Sequence, residues 1–411
     1  MAEYVIIGNG VAAAGCVEGI RSTDTRGNIT VISAEKYPVY SRPLISYYLE
    51  GKTTLEKMNY RPEDFYEKNN VKLVYARAES IDRENGKVVL DNGKKLCYDK
   101  LCLCTGSSPF VPPFEGLDMV KKQFTFMTVD DTLALEKALT KKSRVLIVGA
   151  GLIGLKCAEG IAERVGEITV CDLADRVLSS IYDNDCAAVM QEHLEKHGIR
   201  FMLGDTAVKF DKNKACMKSG AEVGFDILVL AVGVRAGTGL AKDAGIEVNR
   251  GIVIGKDMST SVPGIYAAGD CSEGYDSSIG ANRVLAILPN AYMQGHAAGV
   301  NMAGGQADIK DAIPMNSIGF FGLHSVTAGS YPADAEIVEE KHPGSIRRLY
   351  IKDDRLAGYI IIGDVSRAGV YTSLVREKTP LGELDADRLR VAPSLALFGA
   401  AVRKKKLGGA V

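Results

Sequence analysis

The sequence has no CxxC pair, no tryptophan, no apolar run of membrane-spanning length and no surplus of either charge. The nine cysteines are odd in number and scattered, which excludes a disulfide framework and offers no zinc or iron–sulfur ligand pattern. Reduced thiols and a cytoplasmic location are the economical expectation. Lys and Arg number 50 against 51 Asp and Glu, a net charge of −1. Such a balance excludes charge-driven binding to nucleic acid or to a membrane surface. The cluster Arg403-Lys404-Lys405-Lys406 is read as a solvated terminus rather than an interaction tail. The apolar run near the N-terminus lacks a basic leader and ends in glycine, so it does not read as a signal peptide. The 411 residues, 46% hydrophobic and 25% charged, have room for two or three ordinary globular domains.

What the chain does have is glycine, 44 residues of it, which suits many tight strand-to-helix turns. The first such turn organises the rest. In Tyr4-Val-Ile-Ile-Gly8-Asn-Gly10-Val-Ala-Ala13 a short apolar strand stops at Gly8 and a helix follows at once, running to about Thr23. Gly8 permits the turn and Gly10 lets the backbone approach a pyrophosphate. Ala13 keeps the helix close to its strand, and the helix start offers free N–H groups and positive potential. Residues 28–33 read as the next strand, and Glu35 follows slightly beyond the usual spacing for an acid that holds a ribose hydroxyl. One such match is weak evidence.

The pattern then repeats. Arg144-Val-Leu-Ile-Val-Gly149-Ala-Gly151-Leu152-Ile153-Gly154 is a complete GxGxxG between a strand and a helix, and residues 167–172 supply a second strand ending in Asp172. Two fingerprints, each with strand, helix and acid, are a strong signal for two dinucleotide sites. Asp172 favours a free 2′-hydroxyl, hence NADH, while nearby Arg176 keeps NADPH from being excluded.

Between and beyond the fingerprints the signals are plainer. Segments 71–76 and 87–90 flank Glu84-Asn85-Gly86 like a hairpin. Residues 100–104 form a buried strand ending at Thr105-Gly106, with Cys102 and Cys104 on one face as core packing. His193 and His197 share a helix face without a third ligand, so a solvated face is read there and no metal is expected. A buried strand ends at Gly233, a short strand ends in Gly269-Asp270, and Pro289-Asn290 opens a helix with Pro in its first turn. Residues 314–411 read as a separate α+β module, with strands at 347–351 and 355–363 around the turn Asp353-Asp354.

Taken in order, these motifs resemble the two-dinucleotide-binding flavoproteins of the pyridine nucleotide-disulfide oxidoreductase family. Among its members are the NADH-dependent rubredoxin and ferredoxin reductases, NADH oxidases and the flavin part of nitrite reductase. The resemblance covers roughly residues 1–313. It implies an α/β fold with two Rossmann-like dinucleotide-binding domains plus a C-terminal α+β domain. The FAD domain is then discontinuous (1–115 and 246–313), interrupted by an NAD domain (116–245), with 314–411 as the interface domain. FAD falls to Gly8, Gly10, Ala13, Glu35, Arg42, Pro43, Thr105, Gly106, Gly269, Asp270, Pro289 and Asn290. NAD falls to Gly149, Gly151, Leu152, Ile153, Gly154, Asp172, Arg176 and Gly233.

Two departures sharpen the expectation. Disulfide reductases and peroxide-reducing members carry cysteine near position 45, and residues 40–48 here contain none, which excludes a thiol relay at that site. Tyr40-Ser41-Arg42-Pro43 is instead similar to the rubredoxin and ferredoxin reductases. Many of those have a Lys at the position of Tyr47 paired with a Glu at the position of Lys156. This chain has lost the first cation and gained another, so Lys156 is expected either at the flavin edge, raising its potential, or in solvent. Arg42 and Lys156 are therefore the candidate catalytic cations. The expected reaction is electron transfer from NADH through FAD to an iron–sulfur or rubredoxin-type protein, or to a partner subunit. Direct oxygen reduction and a non-turnover flavin subunit are the alternatives. A homo-oligomer and a subunit of a larger complex both stay open.

Overall fold

A computed structural model describes residues 1–391 and 393–408. The chain forms two compact units: residues 1–178, 197–275 and 282–310, and residues 179–196, 276–281 and 311–411.

The first unit is built on two five-stranded sheets. In one, Ile265–Ala267, Lys100–Leu103, Glu3–Ile7, Asn28–Ser33 and Val71–Tyr75 lie side by side, all parallel. In the other the order is Ile199–Leu203, Glu167–Asp172, Arg144–Val148, Ile227–Leu230 and Gln123–Phe124, again parallel. Each first strand is central and buried, as the apolar runs that open both fingerprints require of strands covered on two faces. In each sheet the strand order reverses beside that central strand. A crevice therefore opens at its C-terminal end, where the glycine turns lie.

The hairpin differs from expectation. Lys87–Leu90 pairs with Ala78–Asp82, not with 71–76. Val71–Tyr75 instead forms the edge of the first parallel sheet, with Ile29 opposite Val71. The turn at 84–86 is present, but its first strand is the polar segment Ala-Glu-Ser-Ile-Asp, which carries little apolar signal. The short strand expected before Gly269-Asp270 is present as Ile265–Ala267, and the first fingerprint helix as Val11–Thr23.

That helix packs against Leu288–Met302 at the closest range that backbone allows. A Cβ on Gly15 would fall 2.4 Å from the Tyr292 carbonyl oxygen, and one on Gly19 would fall 2.1 Å from that of His296. From the other side, Gly295 and Gly299 meet the Ala12 and Cys16 oxygens at 1.9 and 2.1 Å by the same measure. The contacts advance in the same sense along both helices, so the two are parallel and their N-termini lie together.

The second unit centres on an antiparallel sheet in the order Met315–Phe320, Leu323–Gly329, Arg355–Ile362, Ser345–Lys352, Glu336–His342. The turn at Asp353 and Asp354 has φ of 50° and 55°, the left-handed pair that a tight two-residue hairpin needs. Leu349, Tyr359, Ile361, Tyr371 and Leu374 form its core, with helix Ala368–Glu377 supplying the last two.

This unit also takes in 179–196 and 276–281, which the expected boundaries gave to the NAD and FAD domains. Arg348 is the main tie: its buried guanidinium binds Asp183, Asp185 and Glu339, and Tyr350 donates to Asp183 at 2.9 Å. Asp183 in turn accepts the Cys186 N–H at the start of helix Asn184–Lys196. Ser277 N–H bonds the Ala312 carbonyl, and Ser330 donates to that of Ser278. Long-range ion pairs of this kind leave no trace in local spacing.

Candidate functional site: two dinucleotide cradles

At the first cradle, Gly8 adopts φ of 109°, and a Cβ there would sit 2.0 Å from the Cys104 carbonyl oxygen. Only glycine lets the Glu3–Ile7 strand turn this close to the Lys100–Leu103 strand. Gly10, the N-cap of Val11–Thr23, has nothing within 4 Å of a Cβ position and no side chain capping its helix. No side chain therefore satisfies the N–H groups of its first turn. The Leu288–Met302 helix starts beside it, also without a side-chain cap and with Pro289 in its first turn. Two parallel helix dipoles thus place their positive ends together. Asn290 donates to the Leu285 carbonyl at 3.1 Å, while its own buried Oδ1 accepts nothing. Gln294 accepts the Gly269 N–H at 2.9 Å and fixes the turn before Asp270.

The polar groups of this cradle form two bonded sets, one around Glu35 and one around Asp270. Arg42 pairs with Glu35 and donates to the Met127 carbonyl at 3.1 Å. Tyr40 donates to the other Glu35 oxygen at 2.6 Å and accepts the Val129 N–H at 3.3 Å. Asp270 accepts from Ser107 at 3.1 Å. Burial pushes the Asp270 carboxyl above its usual range, against the pull of Ser107 and Arg42. Thr105 donates to the Gly237 carbonyl at 2.6 Å, and Gly106 faces open space. Open backbone faces, paired helix N-termini, an unsatisfied Asn290 oxygen, a cation and two acids fit a dinucleotide with a negative pyrophosphate. Cys102 and Cys104 lie beneath this floor, sulfurs 3.6 Å apart and buried, as core.

The second cradle repeats the geometry. Gly149 has φ of 117°, with the Ala231 oxygen 2.2 Å from a Cβ position. Gly154 packs helix Leu152–Ile161 on the turn, 2.0 Å from the Gly149 oxygen by the same measure. Gly151 and Gly233 face open space. Leu152 and Ile153 form the uncapped first turn. Asp172 accepts the Ala150 N–H at 2.7 Å and the Ala174 N–H at 2.8 Å, so it braces the fingerprint turn, and each oxygen keeps a second lone pair. Arg176 pairs with Asp175 at 2.8 Å.

Helix Leu44–Leu49, starting at Pro43, packs on the second fingerprint helix near its C-terminal end. There a Cβ on Gly160 would lie 3.0 Å from the Ser46 oxygen. Lys156 does not extend into solvent. It pairs with buried Glu159, and its Nζ lies 4.7 Å from the centre of the Tyr47 ring. Tyr37 and Tyr48 bond Asp130 and Glu136 of helix Val129–Ala138, at 2.6 and 3.1 Å. Sequence reasoning missed Glu159 and these tyrosines. The four-residue spacings Gly15/Gly19 and Gly295/Gly299 were a usable signal for the helix pair.

His193 reaches the Phe320 carbonyl at 2.9 Å, His197 is exposed, and no metal-binding cluster occurs among the described residues. Nor is any helix among them long and apolar enough to cross a membrane.

Comparison with known proteins agrees with this geometry. The family described as pyridine nucleotide-disulphide oxidoreductase matches residues 2–295. The chain is 29% identical to the NADH-dependent phenylglyoxylate dehydrogenase subunit epsilon of Aromatoleum evansii, covering 93% of each chain. It is 34% identical to an NADH oxidase of Methanocaldococcus jannaschii, over 74% of this chain and 70% of the relative. Against two relatives from Bacillus subtilis it spans only about half of their length, 49% and 48%. The fold superposes on a putidaredoxin reductase–putidaredoxin complex with TM-score 0.87 at 23% identity, over 100% of this chain and 98% of the other. The chain belongs to the pyridine nucleotide-disulphide oxidoreductase family and is an oxidoreductase that uses FAD and NAD.

Proposed function

We propose that the protein takes a hydride from NADH and passes the electrons through FAD to a separate one-electron acceptor, an iron–sulfur or rubredoxin-type protein or a partner subunit. One observation carries this reading: the segment 40–48, whose Tyr40 and Arg42 bind Glu35 of the first cradle, has no cysteine to receive electrons. The match over 93% of each chain to a protein named as a subunit of an NADH-dependent dehydrogenase supports the partner-subunit form.

In this reading FAD occupies the Gly8/Gly10/Ala13 cradle and NADH the Gly149/Gly151/Gly154 cradle. The domain boundaries expected from the sequence assign residues 1–115 and 246–313 to FAD and 116–245 to NAD. Bound flavin supplies the chemistry that converts a hydride into single electrons. The protein's own groups bind and orient. Helix N-termini at Val11 and Leu288 neutralise phosphate charge and polarise the ring, with Pro289 and Asn290 in the first turn of the second. Glu35 holds the ribose, Arg42 and Pro43 flank the pyrophosphate side, and Thr105, Gly106, Gly269 and Asp270 line the floor. Leu152, Ile153, Gly233, Asp172 and Arg176 position NADH, with Asp172 setting a preference over NADPH. Lys156 places its charge between the cradles. The cytoplasm is the proposed location.

Direct oxygen reduction is the second reading, favoured by the likeness to the Methanocaldococcus oxidase. Anaerobic turnover with one-electron acceptors and slow oxygen consumption supports the main reading; oxygen consumption as fast as the NADH half-reaction supports the second. A flavin that NADH does not bleach at a catalytic rate would reject both.

A further inference from the structure

Both carboxylate oxygens of Glu35 are already engaged: Arg42 pairs with Oε1, and the Tyr40 hydroxyl donates to Oε2 at 2.6 Å. At their other ends the same two side chains hold main chain far along the sequence. Arg42 donates to the Met127 carbonyl at 3.1 Å, and the Tyr40 oxygen accepts the Val129 N–H at 3.3 Å. Val129 opens helix Val129–Ala138, which follows the edge strand Gln123–Phe124 of the second sheet. A capping box already serves that helix start. Thr128 accepts the Asp131 N–H, and Asp131 accepts those of Met127 and Thr128. The Val129 N–H is left over, and Tyr40 supplies its acceptor.

The position of Tyr40 is fixed from several sides. Its neighbours Val39 and Ser41 bond the main chain of Tyr60 and Met58, both at 2.9 Å. Tyr66 accepts the Val39 N–H and donates to Asn9, which in turn donates to the Tyr37 carbonyl. Asn9 lies between Gly8 and Gly10, so the loop that carries Tyr40 is anchored on the first glycine turn. Burial, the largest influence, pushes the Tyr40 hydroxyl above its usual pKa and keeps it protonated. A hydroxyl has one hydrogen to give, and this one goes to Glu35.

We propose that Tyr40 is a positioning residue for FAD, holding Glu35 toward the ribose and tying that acid to the start of helix Val129–Ala138. Each Glu35 oxygen keeps a second lone pair, and a ribose hydroxyl takes one. Without the Tyr40 hydroxyl, Glu35 can turn both oxygens to Arg42 in the two-pronged pairing that a guanidinium favours. Its hold on the ribose is then lost. In the intact protein the ribose steadies Glu35, Tyr40 and the Val129 N–H together. Occupancy of the first cradle is thereby felt at a helix of the second sheet. The inference rests on FAD occupying the first cradle with Glu35 on its ribose, as proposed above.

The test compares two loaded forms of the protein, one with FAD and one with an FAD analogue lacking the adenosine 2′-hydroxyl. Wild type should bind FAD about tenfold more tightly than the analogue, the worth of one hydrogen bond to a charged group. Tyr40→Phe should erase most of that preference. Tyr48→Phe, which loses a bond to Glu136 of the same helix, should keep it. A Tyr40 that only stabilised the fold would weaken both flavins alike and leave the preference intact. Hydrogen exchange needs no variant, and so decides even where Tyr40→Phe does not fold. In wild type the amides of residues 127–131 should exchange at least about fivefold more slowly with FAD than with the analogue. A full preference in Tyr40→Phe overturns the inference, as does equal exchange at 127–131 in a wild type that prefers FAD. If wild type binds both flavins equally, the ribose role of Glu35 itself falls, and the inference with it.

Discussion

Gly295 lies so close to Ala12 that a methyl group on it would fall 1.9 Å from the Ala12 carbonyl oxygen. The contact brings the start of the Leu288 helix alongside the fingerprint helix, and it separates two roles of glycine. Gly295→Ala must push two backbones apart, so it should cost about 2–3 kcal/mol and lower Tm with or without FAD. Gly10→Ala meets nothing within 4 Å. It should leave the FAD-free protein's Tm unchanged while sharply weakening FAD retention. Thermal melts with and without added FAD check both. Equal melts for the two variants would contradict the account.

Lys156 and Glu159 should move the flavin potential in opposite directions. Lys156→Met leaves the Glu159 charge uncompensated and lowers the midpoint. Glu159→Gln leaves Lys156 uncompensated and raises it. A reductive titration against a dye of known potential reads both. Shifts of the same sign, or none, would remove the pair from the flavin's neighbourhood.

Asp172 braces the second fingerprint turn through Ala150 and Ala174, and in the proposed reading it also holds the NADH ribose. Asp172→Ala should reduce kcat/KM for NADH by about tenfold, roughly 1.4 kcal/mol, and narrow the gap to NADPH. Wild type should favour NADH in a steady-state comparison. A clear wild-type preference for NADPH would overturn the assignment.

The second unit should be acid-sensitive through Asp183. Burial pushes its carboxyl up, but the Cys186 N–H, Tyr350 hydroxyl and Arg348 together hold it below the usual range. A depressed folded pKa gives stability that is present above the unfolded value, about 3.9, and lost as pH falls through the folded one. Tm should therefore drop below about pH 4. Arg348→Met should cost on the order of 2–3 kcal/mol, since Asp183 and Asp185 keep some solvent, and should flatten that acid limb. A melting series across this range decides.

What the sequence made legible was local. Gly8, Gly10, Gly149 and Gly151 sit in strand–turn–helix segments whose chemistry is contained in a dozen residues, and Asp353-Asp354 marked its own hairpin. The strand at 78–82 escaped because its residues are mostly polar. Arg348 with Asp183, and Lys156 with Tyr47, join segments far apart in the chain, so their partners had no local signature. For Lys156 the sequence left two placements open; its pairing with Glu159 against Tyr47 removes the solvent one.

The central claim is that electrons entering from NADH leave singly. Stopped-flow mixing of the FAD-loaded protein with NADH, then with a rubredoxin-type or iron–sulfur acceptor or with oxygenated buffer, tests it most directly. The account predicts rapid bleaching, return of flavin colour with the one-electron acceptor at the turnover rate, and much slower return with oxygen. Oxygen restoring the flavin as fast as NADH bleaches it would contradict the account.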